Sequence, residues 1–352
     1  MPPPRSRLDP ALFDLPVDRI RAGYYSDKYF VRARDILIRD RENPRVTVQV
    51  FGKADAFLGG IDEAIAILKL CSDDWTRLDV RALHDGDPVA PWEVVLEIDG
   101  PYADFAQLET LYLGVLARRT RVTTTTRRVV DAARPKDVLF FPARHDHWLM
   151  QSGDGYAAHV AGATGVSTDA QASWCGGAGI GTVPHALIAA YGGNTLLASR
   201  KFLEYMPDTR LVSLVDYEND CVRTSLELAD ALGPALHGVR LDTSEMLVDK
   251  SLLPVTGTAR PNGVTPQLVH NVRDALDHAG HSAVQIVVSG GFTVEKIREF
   301  QSLGVPVDAY GVGSSLLQGR YDFTADVVRR EGIPCAKVGR EYRENSRLEP
   351  VK

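Results

Sequence analysis

The amino-acid sequence predicts an α/β protein in which a β/α barrel follows a smaller α+β domain. From about residue 136, short apolar segments alternate with amphipathic segments of helical length. This alternation is typical of parallel strands that are covered by helices. Polar or glycine-rich residues also follow six of the strands, which favours a closed barrel over an open sheet.

The first third of the chain predicts two strands and two helices. RVTVQVFGK (45–53) and WEVVLEIDGP (92–101) alternate like strands, and GGIDEAIAILKLC (59–71) has the apolar spacing of a helix. The segment 105–133 predicts a long connecting helix, and residues 1 to about 20 predict a proline-rich lead-in.

The barrel is predicted over residues 134–318. Its strands are expected at VLFFPAR (138–144), GVSTDAQ (165–171), GIGTVPH (179–185), RLVSLVDY (210–217), LHGVRLDT (236–243), AVQIVVSGG (283–291) and VDAYGVGSSL (307–316). Helices are expected at about 153–161 and over LLASRKFLEYM, VRTSLELADALG, TPQLVHNVRDALDHAG and TVEKIREFQSLG. Residues 319–352 do not continue this alternation of strands and helices, so we expect them to return to the domain that residues 1–133 form.

The composition provides ample apolar residues for a core and little excess charge. The 352 residues are 44% hydrophobic and 24% charged, with a net charge of -6. No basic excess indicates a nucleic-acid partner. The four cysteines lie far apart without a CxxC pair, which predicts no zinc knuckle or disulfide framework and fits a reducing compartment. Because no signal peptide and no apolar run of ~20 residues is found, we expect a soluble, cytoplasmic protein without a membrane partner.

The loops that follow the strands build the site of a β/α barrel. These positions carry Arg144, His185, Asp216, Arg240, Asp242, Ser289, Gly290, Gly291, Gly311, Gly313, Ser314 and Ser315. VSGGF, followed by TVEKI with Thr293 as the expected N-cap, places a glycine turn at a helix start, where free N–H groups bind phosphate. DAYGVGSSLL offers a second such turn one unit later, as in the phosphate site of barrels.

Two of these features have structural alternatives. Asp216 is either a site residue or a helix N-cap. Arg240 and Asp242 point to one side of their strand, because strand side chains alternate between faces. They either form a salt bridge that seals the strand end or bind a ligand.

The histidines are also open to two interpretations. His185 is either a catalytic group or a structural hydrogen-bonding residue. His145 and His147 have no third ligand in view, so we expect surface or substrate-edge groups rather than a metal pair.

The order of short motifs resembles the nicotinate phosphoribosyltransferase family. These motifs are GDPVAPWEVVLEIDGP, LETLYLGVLARRT, FPAR, GTVPHALI, GVRLDT, VSGGF and DAYGVGSSL. The resemblance runs from YYSDKYF near residue 24 to AKVGR near the end. It implies a type II phosphoribosyltransferase fold, with an α/β sandwich domain and an irregular β/α barrel, and a homodimer with sites at its interface. It also implies that nicotinate and phosphoribosyl pyrophosphate give nicotinate mononucleotide and pyrophosphate, with ATP as co-substrate and Mg²⁺ as cofactor, in NAD salvage.

The resemblance further implies roles for individual residues. Phe141 and Tyr29 would cover the two faces of the pyridine ring, and Arg144 would bind the pyridine. Asp27 and Tyr29 match a motif of the family that faces the other subunit across the dimer interface. His185 matches a histidine that ATP phosphorylates.

The remaining matches concern the sugar phosphate and the choice of pyridine. Arg240 and Asp242 match residues that hold substrate and ribose hydroxyls. Ser167 falls where nicotinamide-specific relatives carry an aspartate, which favours the acid over the amide. Further substrate contacts are implied for Asp216, Ser289, Gly290, Gly291, Gly311, Gly313 and Ser314, with the glycines around the 5′-phosphate.

Three departures from the family pattern and several rival functions remain. YENDC and HDHWLM replace more usual segments at the rim, and the cysteine-rich knuckle of some relatives is absent.

Quinolinate phosphoribosyltransferase would need extra basic groups, which Arg118, Arg119 and Arg121 offer; nicotinamide is a further alternative substrate. A phosphosugar lyase would want a strand-end lysine, and none is found. An inactive nucleotide-binding dimer is the non-enzyme alternative.

Overall fold

The computed structural model describes residues 6–253 and 261–352. It consists of two compact units. Unit 1 comprises Met1–Thr125, Tyr156–Ala161 and Gln318–Lys352, and unit 2 comprises Thr126–Gly155 and Gly162–Leu317. The first five residues of the predicted lead-in lie outside the described residues.

The first third of the chain contains four α-helices and five strands among its described residues. The helices are α1 (Val17–Arg21), α2 (Lys28–Arg39), α3 (Ile61–Cys71) and α4 (Glu109–Ala133). The strands are β1 (Arg45–Gly52), β2 (Ala56–Phe57), β3 (Asp79–Ala82), β4 (Pro88–Val89) and β5 (Val94–Pro101). The sequence therefore predicted β1, β5, α3 and α4, whereas α1 and α2 were not predicted. The prediction of a proline-rich lead-in is wrong over its second half, because a 3₁₀ turn (Pro10–Phe13) and α1 form there.

The middle of the chain alternates strands with helices, as predicted. Its strands are β6 (Asp137–Phe140), β7 (Gly165–Val166), β8 (Leu211–Leu214), β9 (Leu236–Leu241), β10 (Gln285–Val288) and β11 (Ala309–Val312). Its helices are α5 (Gln151–Val160), α6 (Asp169–Ala172), α7 (His185–Ala190), α8 (Thr195–Tyr205), α9 (Cys221–Leu232), α10 (Pro266–His278) and α11 (Val294–Ser302). The six strands form one parallel sheet in the order β7-β6-β11-β10-β9-β8. This architecture confirms the predicted α/β class with an irregular β/α barrel.

The barrel is irregular where the two edge strands face each other. The segment 179–183, predicted as a strand, is not one, and His185 instead begins α7. The Ile180 N–H donates to the Val166 carbonyl of β7 (2.8 Å), and the Val183 N–H donates to the Val212 carbonyl of β8 (3.0 Å). This glycine-containing segment thus bridges β7 and β8 with one backbone hydrogen bond on each side instead of a regular ladder.

The C-terminal residues form three strands, β12 (Phe323–Arg330), β13 (Ile333–Pro334) and β14 (Glu349–Pro350). They join the antiparallel sheet of unit 1, whose order is β13-β12-β1-β5-β3-β14. Strand β1 lies between β5 and β12, and its apolar residues pack with α3 and α4 in one core. None of the helices in the described ranges is long and apolar enough to cross a membrane.

Candidate active site

Arg240 stands at the centre of a hydrogen-bonded cluster at the carboxyl end of the parallel sheet. Its Nε donates to Oγ of Ser289 (2.8 Å), Nη1 donates to Oγ1 of Thr182 (3.0 Å) and Nη2 donates to Oδ2 of Asp242 (3.0 Å). Ser289 in turn donates to Oδ1 of Asp242 (2.7 Å). Three separate segments therefore hold the guanidinium in one orientation.

The strand register explains why these side chains meet. In the parallel pair β9–β10, Val287 lies opposite Arg240 and Val288 lies opposite Leu241. The chain positions that follow, Ser289 and Asp242, therefore lie side by side. The side chains of Arg240 and Asp242 are about one fifth exposed, at 19% and 20%. The pair is thus a salt bridge, and it also opens to solvent where a ligand can reach it.

Phe141 provides an aromatic surface next to this cluster. The Arg240 guanidinium carbon lies 5.5 Å from the centre of the Phe141 ring, within cation–π range. The ring also lies against Gly311, where an added Cβ would stand 2.7 Å from the Phe141 Cε2 atom. Glycine at position 311 therefore makes room for the ring.

His185 and Asp216 form a second polar pair at strand ends. Nε2 of His185 lies 3.1 Å from each carboxylate oxygen of Asp216. Asp216 is 8% exposed and His185 is 44% exposed, so the carboxylate is buried beneath a histidine that solvent reaches. Burial raises the pKa of Asp216, His185 partly offsets this, and the charge of Asp242 adds to it.

The sequence YENDC after β8 explains why Asp216 is not a helix cap. Asp220 is the N-cap of α9 and accepts a hydrogen bond from the Arg223 N–H. Asp216 is thereby left to pair with His185. Tyr217 lies near the same histidine, with 6.4 Å between the ring centres.

Two glycine turns follow the neighbouring strands β10 and β11. Gly290 and Gly291 have φ values of 83° and 68°, in the left-handed region that favours glycine. Oγ of Ser315 donates to the Phe292 carbonyl (2.8 Å), which ties the second turn to the first. The cap predicted at Thr293 is confirmed, because its side chain accepts from the Lys296 N–H.

The segment after β6 places two more predicted residues. Arg144 and His145 lie on an exposed 3₁₀ turn, Ala143–His145. A Cβ added to Gly313 would stand 3.2 Å from the His145 ring, so His145 lies against the second glycine turn. Ser167 lies elsewhere in unit 2, where its hydroxyl donates to Oε1 of Gln171 (3.0 Å).

Asp27 and Tyr29 belong to unit 1. The Asp27 N–H donates to the Thr110 hydroxyl (3.0 Å), which donates back to the Asp27 carboxylate (3.1 Å). Tyr29 is 62% exposed and packs against Phe30 with its ring tilted by 44°, with 4.3 Å between ring centres. In the same unit, Arg119 of the arginine cluster pairs with Glu63 at 2.8 Å.

The sequence missed three residues at this site. Thr182 lies on the irregular segment that bridges the edge strands, and Glu245 and Lys296 lie beside the first glycine turn. The contacts of Thr182 and Glu245 join positions far apart in the chain, which no local pattern reveals, whereas Lys296 contacts Gly290 within the same loop and helix. Among the described residues, no group of three or more His, Cys, Asp or Glu side chains could hold a metal ion.

Comparison with known proteins gives matches over both units. The model of the N-terminal domain of quinolinate phosphoribosyl transferase matches residues 27–120. The nicotinate phosphoribosyltransferase pncB1 of Mycobacterium tuberculosis is 30% identical over 284 residues, which cover 76% of this chain and 57% of that protein. The chain thus spans little more than half the length of this relative.

Solved structures show the same fold. The nicotinate-nucleotide pyrophosphorylase of Pyrococcus furiosus is 32% identical, with a TM-score of 0.79 over 95% of this chain and 84% of that one. Human nicotinic acid phosphoribosyltransferase is 16% identical, with a TM-score of 0.68 over 88% of this chain and 76% of that one, a likeness of fold.

The parallel barrel and the antiparallel sheet, together with these matches, place the chain in the phosphoribosyltransferase family. Within that class, the chain belongs to the same family as the nicotinate-nucleotide pyrophosphorylase of Pyrococcus furiosus.

Proposed function

We propose that this protein is a nicotinate phosphoribosyltransferase, which joins nicotinate to phosphoribosyl pyrophosphate. The observation that supports this most is the Arg240 cluster beside the Phe141 ring. A flat aromatic acid needs one stacking surface and one fixed cation. Phe141 and the guanidinium of Arg240 supply both within 5.5 Å of each other.

In the proposed reaction, the ring nitrogen of nicotinate attacks C1 of the ribose. The C1–O bond to pyrophosphate breaks, and the electron pair leaves with pyrophosphate. Because such transfers pass through an oxocarbenium-like state, the carboxylate of Asp242 would hold the ribose hydroxyls and stabilise the developing positive charge. The remaining contribution of the protein is positioning.

We propose that the two glycine turns bind the 5′-phosphate. Gly290 and Gly291 open the turn before α11, and Gly311 and Gly313 line the neighbouring one. Backbone N–H groups at such a turn favour an anion. We propose that Mg²⁺ is held mainly through pyrophosphate oxygens, as is usual for this ion, where it would neutralise charge on the leaving group.

We propose that ATP phosphorylates His185. If Nε2–H donates a hydrogen bond to the Asp216 carboxylate, the lone pair of Nδ1 is free to attack the γ-phosphate, and the bond to ADP breaks with its electron pair. ADP leaves, and later hydrolysis of the phosphohistidine returns the histidine. This step would couple ATP hydrolysis to tighter binding of phosphoribosyl pyrophosphate.

We also propose a homodimer to which Asp27 and Tyr29 contribute. The support is one face of α2, where Tyr29 and Ile36, about two helical turns apart, are 62% and 65% exposed. Large apolar side chains exposed together mark association sites. Sedimentation equilibrium of the wild type and of Ile36→Asp tests this: a dimer that Ile36→Asp dissociates is expected, and a monomeric wild type contradicts it.

Quinolinate is the second candidate substrate, because the matching family model is that of the quinolinate enzyme. Quinolinate carries a second carboxylate that needs a further cation. Arg119 already pairs with Glu63, and the side chains of these two residues are only 9% and 12% exposed. This pairing removes Arg119 from the cations that a second carboxylate could use.

The test is pyrophosphate release with phosphoribosyl pyrophosphate, Mg²⁺ and ATP, given nicotinate, nicotinamide or quinolinate in parallel. Release with nicotinate alone is expected. Release with quinolinate, together with CO₂, would assign the second candidate. Release with none of the three would contradict both.

A further inference from the structure

The first glycine turn already has a negatively charged side chain against it. A Cβ added to Gly291 would collide with Oε1 of Glu245 and stand 2.9 Å from its Cδ, so the carboxylate lies directly on the backbone of this turn. Glu245 comes from the loop after β9, three residues beyond Asp242, and it is exposed. Because Glu245 is exposed, solvation by water does not account for the position of its carboxylate against this turn.

A half-buried lysine also lies beside this turn. Nζ of Lys296 is 3.5 Å from the Gly290 carbonyl and 4.5 Å from the centre of the Phe292 ring. Burial lowers the pKa of Lys296, and the charges of Glu245 and Glu299 partly offset this. Lys296 is also in the first turn of α11, where the helix dipole disfavours a cation. An anion at the glycine turn would relieve both costs.

We propose that Glu245 is an internal competitor for the phosphate of the sugar substrate, and that Lys296 is the cation that both anions share. This inference rests on the proposed function, because it concerns the phosphate of the same substrate. When the sugar phosphate binds, the Glu245 side chain swings into solvent and Lys296 pairs with phosphate oxygens. Glu245 therefore lowers the affinity for the phosphate by competing with it, and Lys296 provides the positive charge that binds the phosphate.

The competition follows from the chemistry of the two anions. A carboxylate and a phosphate are both recognised by free N–H groups and an ammonium, and one turn accommodates one of them. Phosphate carries more charge and more acceptor oxygens, so it displaces the carboxylate. Glutamine at position 245 keeps the size of the side chain but, being neutral, no longer attracts the Lys296 ammonium electrostatically.

The probes are ribose 5-phosphate and inorganic phosphate, and their dissociation constants are measured by titration calorimetry on the full chain. Glu245→Gln is expected to bind ribose 5-phosphate about two- to fivefold more tightly, the size of an exposed charge interaction. Lys296→Met is expected to bind it at least about tenfold more weakly, as for a lost charge-assisted hydrogen bond. Lys296→Arg keeps the charge and should bind within about threefold of the wild type.

Glu299→Gln is the matched control, since Glu299 also acts on the charge of Lys296 but lies on the exposed side of α11. It should bind ribose 5-phosphate like the wild type. An unchanged or weaker affinity in Glu245→Gln, or an unchanged affinity in Lys296→Met, would overturn the inference. Nicotinate turnover with unchanged phosphate affinities would leave the proposed function and remove this inference. If the expected affinity shifts are found but no pyridine is turned over, the proposed function is contradicted and the competition between Glu245 and phosphate stands.

Discussion

Nε2 of His185 lies 3.1 Å from both carboxylate oxygens of Asp216, and the carboxylate is the buried member of the pair. A buried carboxylate that faces one ring nitrogen fixes both the orientation and the tautomer of a histidine. The pair therefore leaves Nδ1 as the nitrogen with a lone pair, which the proposed phosphorylation needs, on a side chain that is 44% exposed.

Asp216→Asn should reduce the ATP-stimulated rate of nicotinate mononucleotide formation by roughly ten- to a hundredfold, because the histidine loses its orienting partner. The KM for nicotinate should change little. Steady-state kinetics with and without ATP measures both effects. Asp220→Asn is the control, since this carboxylate caps α9 and does not contact His185. Equal ATP stimulation in Asp216→Asn and the wild type would contradict the proposed role of the pair.

Thr182→Val should raise the KM for nicotinate by about tenfold, because Nη1 of Arg240 loses its acceptor and the cost of an unpaired donor is about 1–3 kcal/mol. Thr182→Ser keeps the hydroxyl and should restore the KM. A purely structural threonine would lower stability in both variants and leave the KM unchanged, which the same kinetics and a thermal melt distinguish.

Gly311→Ala should reduce kcat/KM for nicotinate by about tenfold, since the new methyl would press on the Phe141 ring from 2.7 Å. Combined with Phe141→Leu, its effect should be much smaller, because the two positions share one contact. Gly181→Ala is the control, as no heavy atom lies within 4 Å of its added Cβ. Independent, additive effects of Gly311→Ala and Phe141→Leu would contradict the contact.

Glu109→Gln should stabilise unit 1 at neutral and higher pH. Burial, then the charges of Asp326 and Asp27, raise the pKa of Glu109 from 4.5 to about 7. The folded protein thus binds this proton more tightly than the unfolded chain does. The stability that the protonated group contributes is full below pH 4.5 and is lost as the pH rises through about 7.

The difference between Glu109→Gln and the wild type should therefore grow by roughly 2 kcal/mol between pH 4.5 and 8, after allowance for partial exposure. Urea unfolding at several pH values measures it. Glu42→Gln, at an exposed position, should run parallel to the wild type. A parallel curve for Glu109→Gln as well would show that its carboxyl is not perturbed.

The parts of this fold that could be predicted from the sequence are those in which a local pattern decides the structure. Strand β1 alternates apolar and polar side chains, and β9 has buried apolar side chains at Leu236, Val239 and Leu241. The same alternation correctly placed Arg240 and Asp242 on one side. Helix α2 was missed because its apolar residues do not all face a core, and Ile36 and Ile38 remain exposed.

Long-range geometry decided what the sequence could not supply. The segment 179–183 has the composition of a strand, yet its neighbours β7 and β8 offer it one hydrogen bond each, so it stays irregular. The contact between Thr182 and Arg240 depends on that placement. Glu245 likewise meets Gly291 only because the loops after β9 and β10 lie side by side.

The central claim is that the Arg240 cluster binds nicotinate during transfer to the ribose. It is tested most directly by the kcat/KM for nicotinate in the wild type and in Arg240→Lys, with nicotinate mononucleotide quantified by mass spectrometry. Lysine keeps the charge but cannot reproduce three directed hydrogen bonds, so a loss of about a hundredfold or more is predicted. Equal kcat/KM values in the two proteins, or a wild type that forms no nicotinate mononucleotide, would contradict the account.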